Sequence, residues 1–163
     1  MSLTAFFVAV GDGIQAEDWP ETEARASVFL SGLTNQPTFR HEMPGAVLLQ
    51  SSVYPDESAV AVCRRTTADR DVMVVFDGWL ENRAELEDRL KRIGAVSGSP
   101  DAELLLLAYL AWNSHVAEHL FGEYPFVVVE RFRSSVSCRV HAVRDRVGFR
   151  PAYWVAQPAV LWL

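Results

Sequence analysis

The sequence predicts a single α+β domain in which antiparallel sheets pack against helices. Its apolar segments follow the order strand, helix, several strands, two helices, several strands. Single strands do not alternate with helices, so the order disfavours a parallel sheet. With 163 residues, half of them hydrophobic, the chain is also long and apolar enough to bury one substantial core.

The first half of the chain begins with a buried strand and a helix. Residues 4–10 form a continuous apolar run that ends at a Gly-Asp-Gly turn. Pro20 suits the first turn of a helix, whose apolar face is expected in the core. This face comprises Ala24, Ala26, Val28, Phe29 and Leu33. We interpret residues 34–44 as a polar loop. The β-rich runs 46–53 and 59–63 indicate a hairpin, and residues 72–76 a further strand.

The second half contains two helices and two hairpins. Residues 81–93 form a charged helix that ends at Gly94. Ser99 is expected to cap the next helix, with Pro100 and Asp101 in its first turn. Residues 104–112 are almost wholly apolar, which predicts burial nearly all round. The runs 124–132 and 136–143, and then 152–156 and 160–163, indicate two hairpins.

Composition excludes several classes of protein. The net charge of −6 and an isoelectric point of about 5.2 argue against binding to duplex nucleic acid. No apolar run approaches the ~20 residues of a membrane helix, and the N-terminus lacks the basic region of a signal peptide. We therefore expect a cytoplasmic protein that binds no membrane. Cys63 and Cys138 form no CxxC pair and are interpreted as buried thiols.

Three segments carry a resemblance to a known family. Residues 76–83 read Phe-Asp-Gly-Trp-Leu-Glu-Asn-Arg, residues 99–105 read Ser-Pro-Asp-Ala-Glu-Leu-Leu, and residues 144–154 read Arg-Asp-Arg-Val-Gly-Phe-Arg-Pro-Ala-Tyr-Trp. In this order and spacing they resemble the N-terminal glutaminase domain of asparagine synthetases, a class II glutamine amidotransferase. The resemblance covers residues 4–163. It implies a four-layer αββα sandwich of the N-terminal-nucleophile class, with residues 1–163 as the first domain of a longer synthetase.

The resemblance also implies a nucleophile, which this chain lacks. Active members begin with a cysteine whose thiolate attacks the glutamine amide while its own α-amine acts as the base. Thr4 stands at the cysteine's position and three residues precede it. Removal of Met1 would expose Ser2 two positions too early, which misplaces its hydroxyl. The alternative is an amidohydrolase that releases ammonia from glutamine through an N-terminal Ser2 or Thr4.

The resemblance places a vestigial glutamine pocket at Asp77, Gly78, Trp79 and Asp101. Asp77 replaces an asparagine whose amide donates to the oxyanion, and loss of such a donor costs roughly 3 to 4 kcal/mol. Trp79 replaces a substrate-binding carboxylate and is expected to fill the pocket. Residues 50–53 lack the arginine that clamps the glutamine carboxylate. Asp101 keeps the position that holds the substrate's α-ammonium, although a carboxylate at a helix N-terminus can be purely structural.

These departures predict a glutaminase-dead domain similar to those of β-lactam synthetase and lasso-peptide cyclases. Its partner would be an ATP-dependent synthetase domain, in the same chain or another, and ATP and magnesium are expected only there. A homo-oligomer is also compatible with the sequence, as is a ligand-sensing module that uses the old pocket. His115 and His119 stand four apart without an evident third ligand, so we expect no metal. Arginines 131, 133 and 139 are interpreted as a solvated sheet face, or as a docking surface for an acidic partner.

Overall fold

A computed structural model of the protein describes residues 4–11, 20–53, 62–148, 150, 152–153, 155–157 and 160–162. Its helices are α1 (Pro20–Thr34), α2 (Arg83–Leu90) and α3 (Asp101–Trp112), with 3-10 turns at Lys91–Ile93 and Asn113–His119. Its strands are β1 (Thr4–Val10), β2 (Phe39–Met43), β3 (Ala46–Ser52), β4 (Val62–Thr66), β5 (Arg70–Phe76), β6 (Trp79–Leu80), β7 (Gly122–Glu123), β8 (Pro125–Phe132), β9 (Cys138–Arg144), β10 (Val155–Gln157) and β11 (Val160–Trp162). Within these ranges no helix has the length and apolar character needed to cross a membrane.

The strands form two main antiparallel sheets. The larger sheet has the order β10-β11-β1-β3-β2, and the smaller has the order β4-β5-β8-β9. Strands β6 and β7 form a separate two-stranded ribbon beside them. The predicted hairpins β8–β9 and β10–β11 are both confirmed.

The layers follow from where the apolar side chains meet. Val8 and Leu48 of the larger sheet share one buried cluster with Val75 and Val127 of the smaller sheet, so the two sheets pack face to face. On the outer face of the larger sheet, Leu30 of α1 packs in a second cluster. Helices α2 and α3 cover the outer face of the smaller sheet. The predicted α+β architecture, an αββα sandwich, is therefore confirmed.

Helix α3 is buried nearly all round, as its composition predicts. Residues 104–109 are at most 1% exposed, because the helix lies between the smaller sheet and α2. Helix α2 and its 3-10 extension end at Gly94, which has a φ of +113°. The predicted cap of α3 is wrong: Pro100 occupies the N-cap position, and the Ser99 hydroxyl accepts from the Val96 N–H at 3.4 Å within its own turn.

The predicted hairpin across residues 46–63 is wrong. Strand β3 pairs with β1 and β2, whereas β4 pairs with β5 in the other sheet. All seven residues of β3 are buried, because the strand has a neighbour on each side and is covered on both faces. An apolar run followed by turn-forming residues has the same sequence pattern whether the next strand pairs with it or belongs to the other sheet. Residues 59–61 lie outside the described part of the chain.

The predicted loop at residues 34–44 contains strand β2. Its polar composition follows from its place, because it is last in the order of the described strands of its sheet and one face of it is polar. Phe39, His41 and Met43 alternate with Arg40 and Glu42, which is the two-residue period of a strand.

The predicted core face of helix α1 is confirmed for Ala26, which packs against the Leu30 cluster, and is wrong for its large side chains. Three side chains expected in the core are more than half exposed: Val28 (73%), Phe29 (65%) and Leu33 (53%). Leu30 and Thr34 are buried instead. The Thr34 hydroxyl hydrogen-bonds with that of Ser51, and the Thr38 hydroxyl donates to the Ser27 carbonyl at 3.1 Å. These polar contacts fix the rotation of the helix and leave its most apolar stripe outside.

Candidate functional site

One end of the sandwich gathers most of the residues singled out from the sequence. Strand β1 begins at Thr4 opposite Ser52, the last residue of β3, and Asp77 directly follows β5. At the other end of the sandwich, the Cys138 thiol lies 3.4 Å from the Pro44 carbonyl and joins the end of β2 to the start of β9. The strand registers then place the start of β1, the end of β3 and the end of β5 at one common end.

Asp77 and Arg150 form a buried ion pair at this end. A guanidinium nitrogen of Arg150 donates to Oδ2 of Asp77, and the two residues are 9% and 6% exposed. The backbone N–H of Asp77 donates to the Pro125 carbonyl at 3.1 Å, which ties the residue to β8. A carboxylate in such a pair presents acceptor oxygens rather than the N–H donor of an amide.

A tight turn after β9 places Arg150 next to Asp77. Oδ1 of Asp145 accepts from the N–H groups of Val147 at 3.0 Å and Gly148 at 2.6 Å. Gly148 has a φ of +73°, which glycine adopts without strain. The Asp145 N–H in turn donates to the Tyr124 carbonyl at 2.7 Å. This stretch is recognisable from the sequence, but the role of Arg150 is not, because nothing in the sequence shows that it pairs with a residue 73 positions earlier.

Gly78 and Gly122 allow the β6–β7 ribbon to form. Gly78 has a φ of +131°, and a Cβ on it would lie 2.0 Å from the Glu123 carbonyl oxygen. A Cβ on Gly122 would lie 2.1 Å from the Trp79 carbonyl oxygen. The Trp79 ring is 37% exposed, and its centroid lies 5.5 Å from the guanidinium carbon of Arg150. That this ring fills a glutamine pocket stays a prediction.

Asp101 lies at the start of α3 and already has cationic and backbone partners. Its Oδ1 pairs with the guanidinium of Arg83, and its Oδ2 accepts from the Leu80 N–H at 3.2 Å. Arg83 also donates to the Ser99 carbonyl and, at 3.3 Å, to Glu87. Asp101 therefore joins α3 to α2 and to β6, which is a structural role. That it holds the α-ammonium of an amino acid stays a prediction.

The strand end at residues 50–52 supplies hydroxyl and amide groups instead of a cation. Ser51 is fully buried, and its hydroxyl lies 3.1 Å from the carbonyls of Gln36 and Pro37. The arginines closest in sequence are used elsewhere. Arg64 donates to the Glu42 carbonyl at 3.0 Å, and Arg65 to the Ile93 carbonyl at 3.5 Å.

Two further predictions concern residues away from this end. Ser2, the alternative nucleophile, lies outside the described residues. His115 pairs with Glu118 at 2.9 Å, whereas the His119 ring packs 4.1 Å from Trp112. Across the described ranges, no group of three or more His, Cys, Asp or Glu side chains is placed to hold a metal ion.

A buried carboxylate that the sequence analysis missed lies near the opposite end of β8. Glu130 is 1% exposed and pairs with Arg70 at 2.8 Å and with Arg139 at 3.0 Å. Burial, with a smaller effect of Glu130, raises the pKa of the Tyr109 hydroxyl. The signal was a lone acid inside an apolar strand. Arg139 was predicted to lie on a solvated face of the sheet. Its side chain is 62% exposed, but it also pairs with Glu130 at 3.0 Å.

The sandwich fold suits a glutamine amidotransferase-like domain, and sequence comparison shows the family. Residues 55–163, more than half of the chain, match the family model described as a glutamine amidotransferase domain. The chain therefore belongs to the glutamine amidotransferase domain family. It is also 28% identical over 85 residues to glutamine-hydrolyzing asparagine synthetase 3 of Bacillus subtilis (strain 168). That match covers 52% of this chain and 13% of the relative.

Proposed function

We propose that this asparagine synthetase-like domain is of class II and has lost glutaminase activity. Instead of hydrolysing glutamine, the domain serves as a structural partner of an ATP-dependent synthetase domain that forms an amide or lactam bond in the cytoplasm. ATP and magnesium would be bound by that synthetase domain. The observation that carries the proposal is the buried ion pair between Asp77 and Arg150.

The ion pair lies where the resemblance requires a hydrogen-bond donor. An oxyanion that develops during attack on glutamine needs N–H or O–H donors, and loss of one donor slows such reactions roughly 100- to 1000-fold. Asp77 offers acceptor oxygens and negative charge instead. Arg150 is directed at Asp77 and at the Trp79 ring, so its charge is partly balanced before any substrate binds.

The other parts of a glutaminase are altered independently. Thr4 has no thiol at the nucleophile's position, and the strand end at residues 50–52 carries no arginine. Asp101, the retained pocket residue, is bound by Arg83 and by the Leu80 N–H. An amino-acid ligand would have to compete with Arg83 for this carboxylate, which disfavours the ligand-sensing alternative.

The first test is glutamine hydrolysis by the purified chain. We expect no glutamate or ammonia above the level of a protein-free blank, with an active glutaminase as positive control. Variants decide the origin of any signal: Thr4→Ala and Ser2→Ala each remove the hydroxyl of a candidate nucleophile, and Thr67→Ala removes one in the turn between β4 and β5 as the control. Hydrolysis that is lost in Thr4→Ala and retained in Thr67→Ala would overturn the proposal. Hydrolysis that is lost in Ser2→Ala and retained in Thr67→Ala would likewise overturn the proposal.

The second test concerns the synthetase partner. The ATP-dependent synthetase encoded with this domain would be assayed for amide or lactam formation with the domain present and deleted. We expect deletion to abolish product formation, and added ammonium chloride not to restore it, because the domain acts by packing. Rescue by ammonium chloride, or incorporation of nitrogen from labelled glutamine, would show that the domain supplies ammonia.

A further inference from the structure

We propose that α1 is the contact surface for a second copy of this chain, in a two-fold symmetric dimer. The proposal does not depend on whether the domain hydrolyses glutamine. The outward stripe of α1 carries three large apolar side chains, Val28, Phe29 and Leu33, which are 73%, 65% and 53% exposed. A helix normally buries such a stripe, and large exposed apolar patches mark interaction sites.

The shape of the stripe complements itself. Residues four apart form two rows along the helix: Ala24, Val28 and Gly32 in one, and Arg25, Phe29 and Leu33 in the other. The first row is low, and a Cβ on Gly32 would meet no atom within 4 Å. With a second α1 antiparallel about an axis near Val28, the Phe29 ridge of each copy lies along the low row of the other. Such an arrangement is isologous and closes as a dimer.

The charge of the stripe also favours a second copy. The whole chain carries a net charge of −6, which makes two copies repel each other in general. The exposed side of α1 from residue 21 to residue 33 holds one acid and one base, Glu21 and Arg25. Two acidic molecules can therefore approach along this neutral face with little repulsion.

The area of the stripe sets the strength that we expect. Aromatic side chains bury roughly 150–250 Å² each. With Val28 and Leu33 taken near the lower end of that range, the exposed fractions of Val28, Phe29 and Leu33 offer roughly 300–350 Å² per copy. With the small residues and the arginine stem, two copies would bury about 1,000 Å², near the lower limit of a specific interface. We therefore expect a dimer that dissociates in the micromolar range.

Sedimentation velocity of the full chain tests the proposal, over concentrations from about 1 to about 200 µM. We expect the average mass to rise from monomer towards dimer, with little change in high salt. Phe29→Glu should weaken dimerisation at least about tenfold. Phe121→Glu, at a site that is 59% exposed on another surface, should leave it unchanged. Unaltered far-UV circular dichroism would show that both variants are folded.

Cross-linking locates the contact. Val28→Cys should form a disulfide-linked dimer under mild oxidation, whereas Val136→Cys, at a site equally 73% exposed, should give no more than the wild-type background. A chain that stays monomeric at all concentrations would overturn the proposal. Dimerisation that survives Phe29→Glu would also overturn it. A dimer that dissociates at high salt would overturn it too, because salt sensitivity would indicate contact between charged surfaces.

Discussion

Replacing Glu130 with alanine is expected to lower the free energy of unfolding by roughly 3 to 5 kcal/mol. The Glu130 carboxylate is 1% exposed and pairs with Arg70 at 2.8 Å and Arg139 at 3.0 Å, and Nε2 of His141 lies 3.9 Å away. It also accepts a hydrogen bond from Tyr109 of α3, so it joins the smaller sheet to the helix layer.

The magnitude follows from what the substitution leaves behind. The Arg70 side chain is 14% exposed, so it stays largely buried; it keeps its 3.1 Å hydrogen bond with Asn113 and its position over the Tyr109 and Phe132 rings but loses its carboxylate partner. An unsatisfied buried charged group costs more than the 1–3 kcal/mol of a neutral one. The Arg139 side chain is 62% exposed and turns to solvent, so Arg139→Ala should cost less than about 1 kcal/mol. Glu130→Gln keeps one acceptor oxygen without the charge and should fall between these values.

Urea unfolding followed by circular dichroism at neutral pH measures the series. At about 2–4 °C per kcal/mol for a domain of this size, Glu130→Ala should also lower Tm by about 10 °C. Glu118→Ala is the matched control, because the Glu118 side chain is 67% exposed and pairs only at the surface with His115. Glu130 would not hold this cluster together if Glu130→Ala lowered the free energy of unfolding by less than about 1 kcal/mol, or if Arg139→Ala lowered it as much as Arg70→Ala.

Two further predictions concern stability. Gly122→Ala should abolish soluble folding or lower Tm sharply, because the new Cβ would lie 2.1 Å from a carbonyl oxygen. Gly32→Ala, whose Cβ meets nothing within 4 Å, should stabilise dilute protein by roughly 0.5–1 kcal/mol. Equal changes in Tm for the two variants would contradict this. Burial lowers the pKa of His41, although its hydrogen bond with Gln50 opposes this. The unfolded chain therefore binds a proton below about pH 6.5 that the folded chain does not, and stability falls as pH falls. His41→Gln should flatten urea-unfolding stability between about pH 7 and pH 5, and a slope equal to that of wild type would count against this.

Local patterns predicted the elements whose partners are adjacent in sequence. The β8–β9 hairpin and the end of α2 at Gly94 depend on short-range turn geometry, and α3 on an apolar run that only a fully covered helix can carry. The partner of β3 could not be predicted, because pairing with β1 or with β4 satisfies the same alternation of side chains. The rotation of α1 was mispredicted because hydrophobic periodicity does not register polar contacts such as Thr34–Ser51 and Thr38–Ser27, which turn the apolar stripe outwards.

The site shows a similar division. Family resemblance located Asp77, Trp79 and Asp101, but their partners Arg150 and Arg83 emerged only from the fold. From the sequence, each departure from the family pattern is a separate loss. In the structure, Arg150 donates to Asp77 and also lies over the Trp79 ring, so one side chain connects two of the altered positions.

Under the function proposed above, the Asp77–Arg150 ion pair also limits which substitutions could give the domain glutaminase activity. Asp77→Asn would return an amide donor, but it would also remove the charged partner of a guanidinium that is 9% exposed. Breaking a buried pair from one side costs about 3–5 kcal/mol, which is as large as the benefit of an oxyanion donor. A single reversion is therefore expected to destabilise the domain without activating it. Under the function proposed above, glutamine hydrolysis would require both a nucleophile at Thr4 and a new partner for the Arg150 guanidinium, because Asp77→Asn alone leaves that buried charge unbalanced.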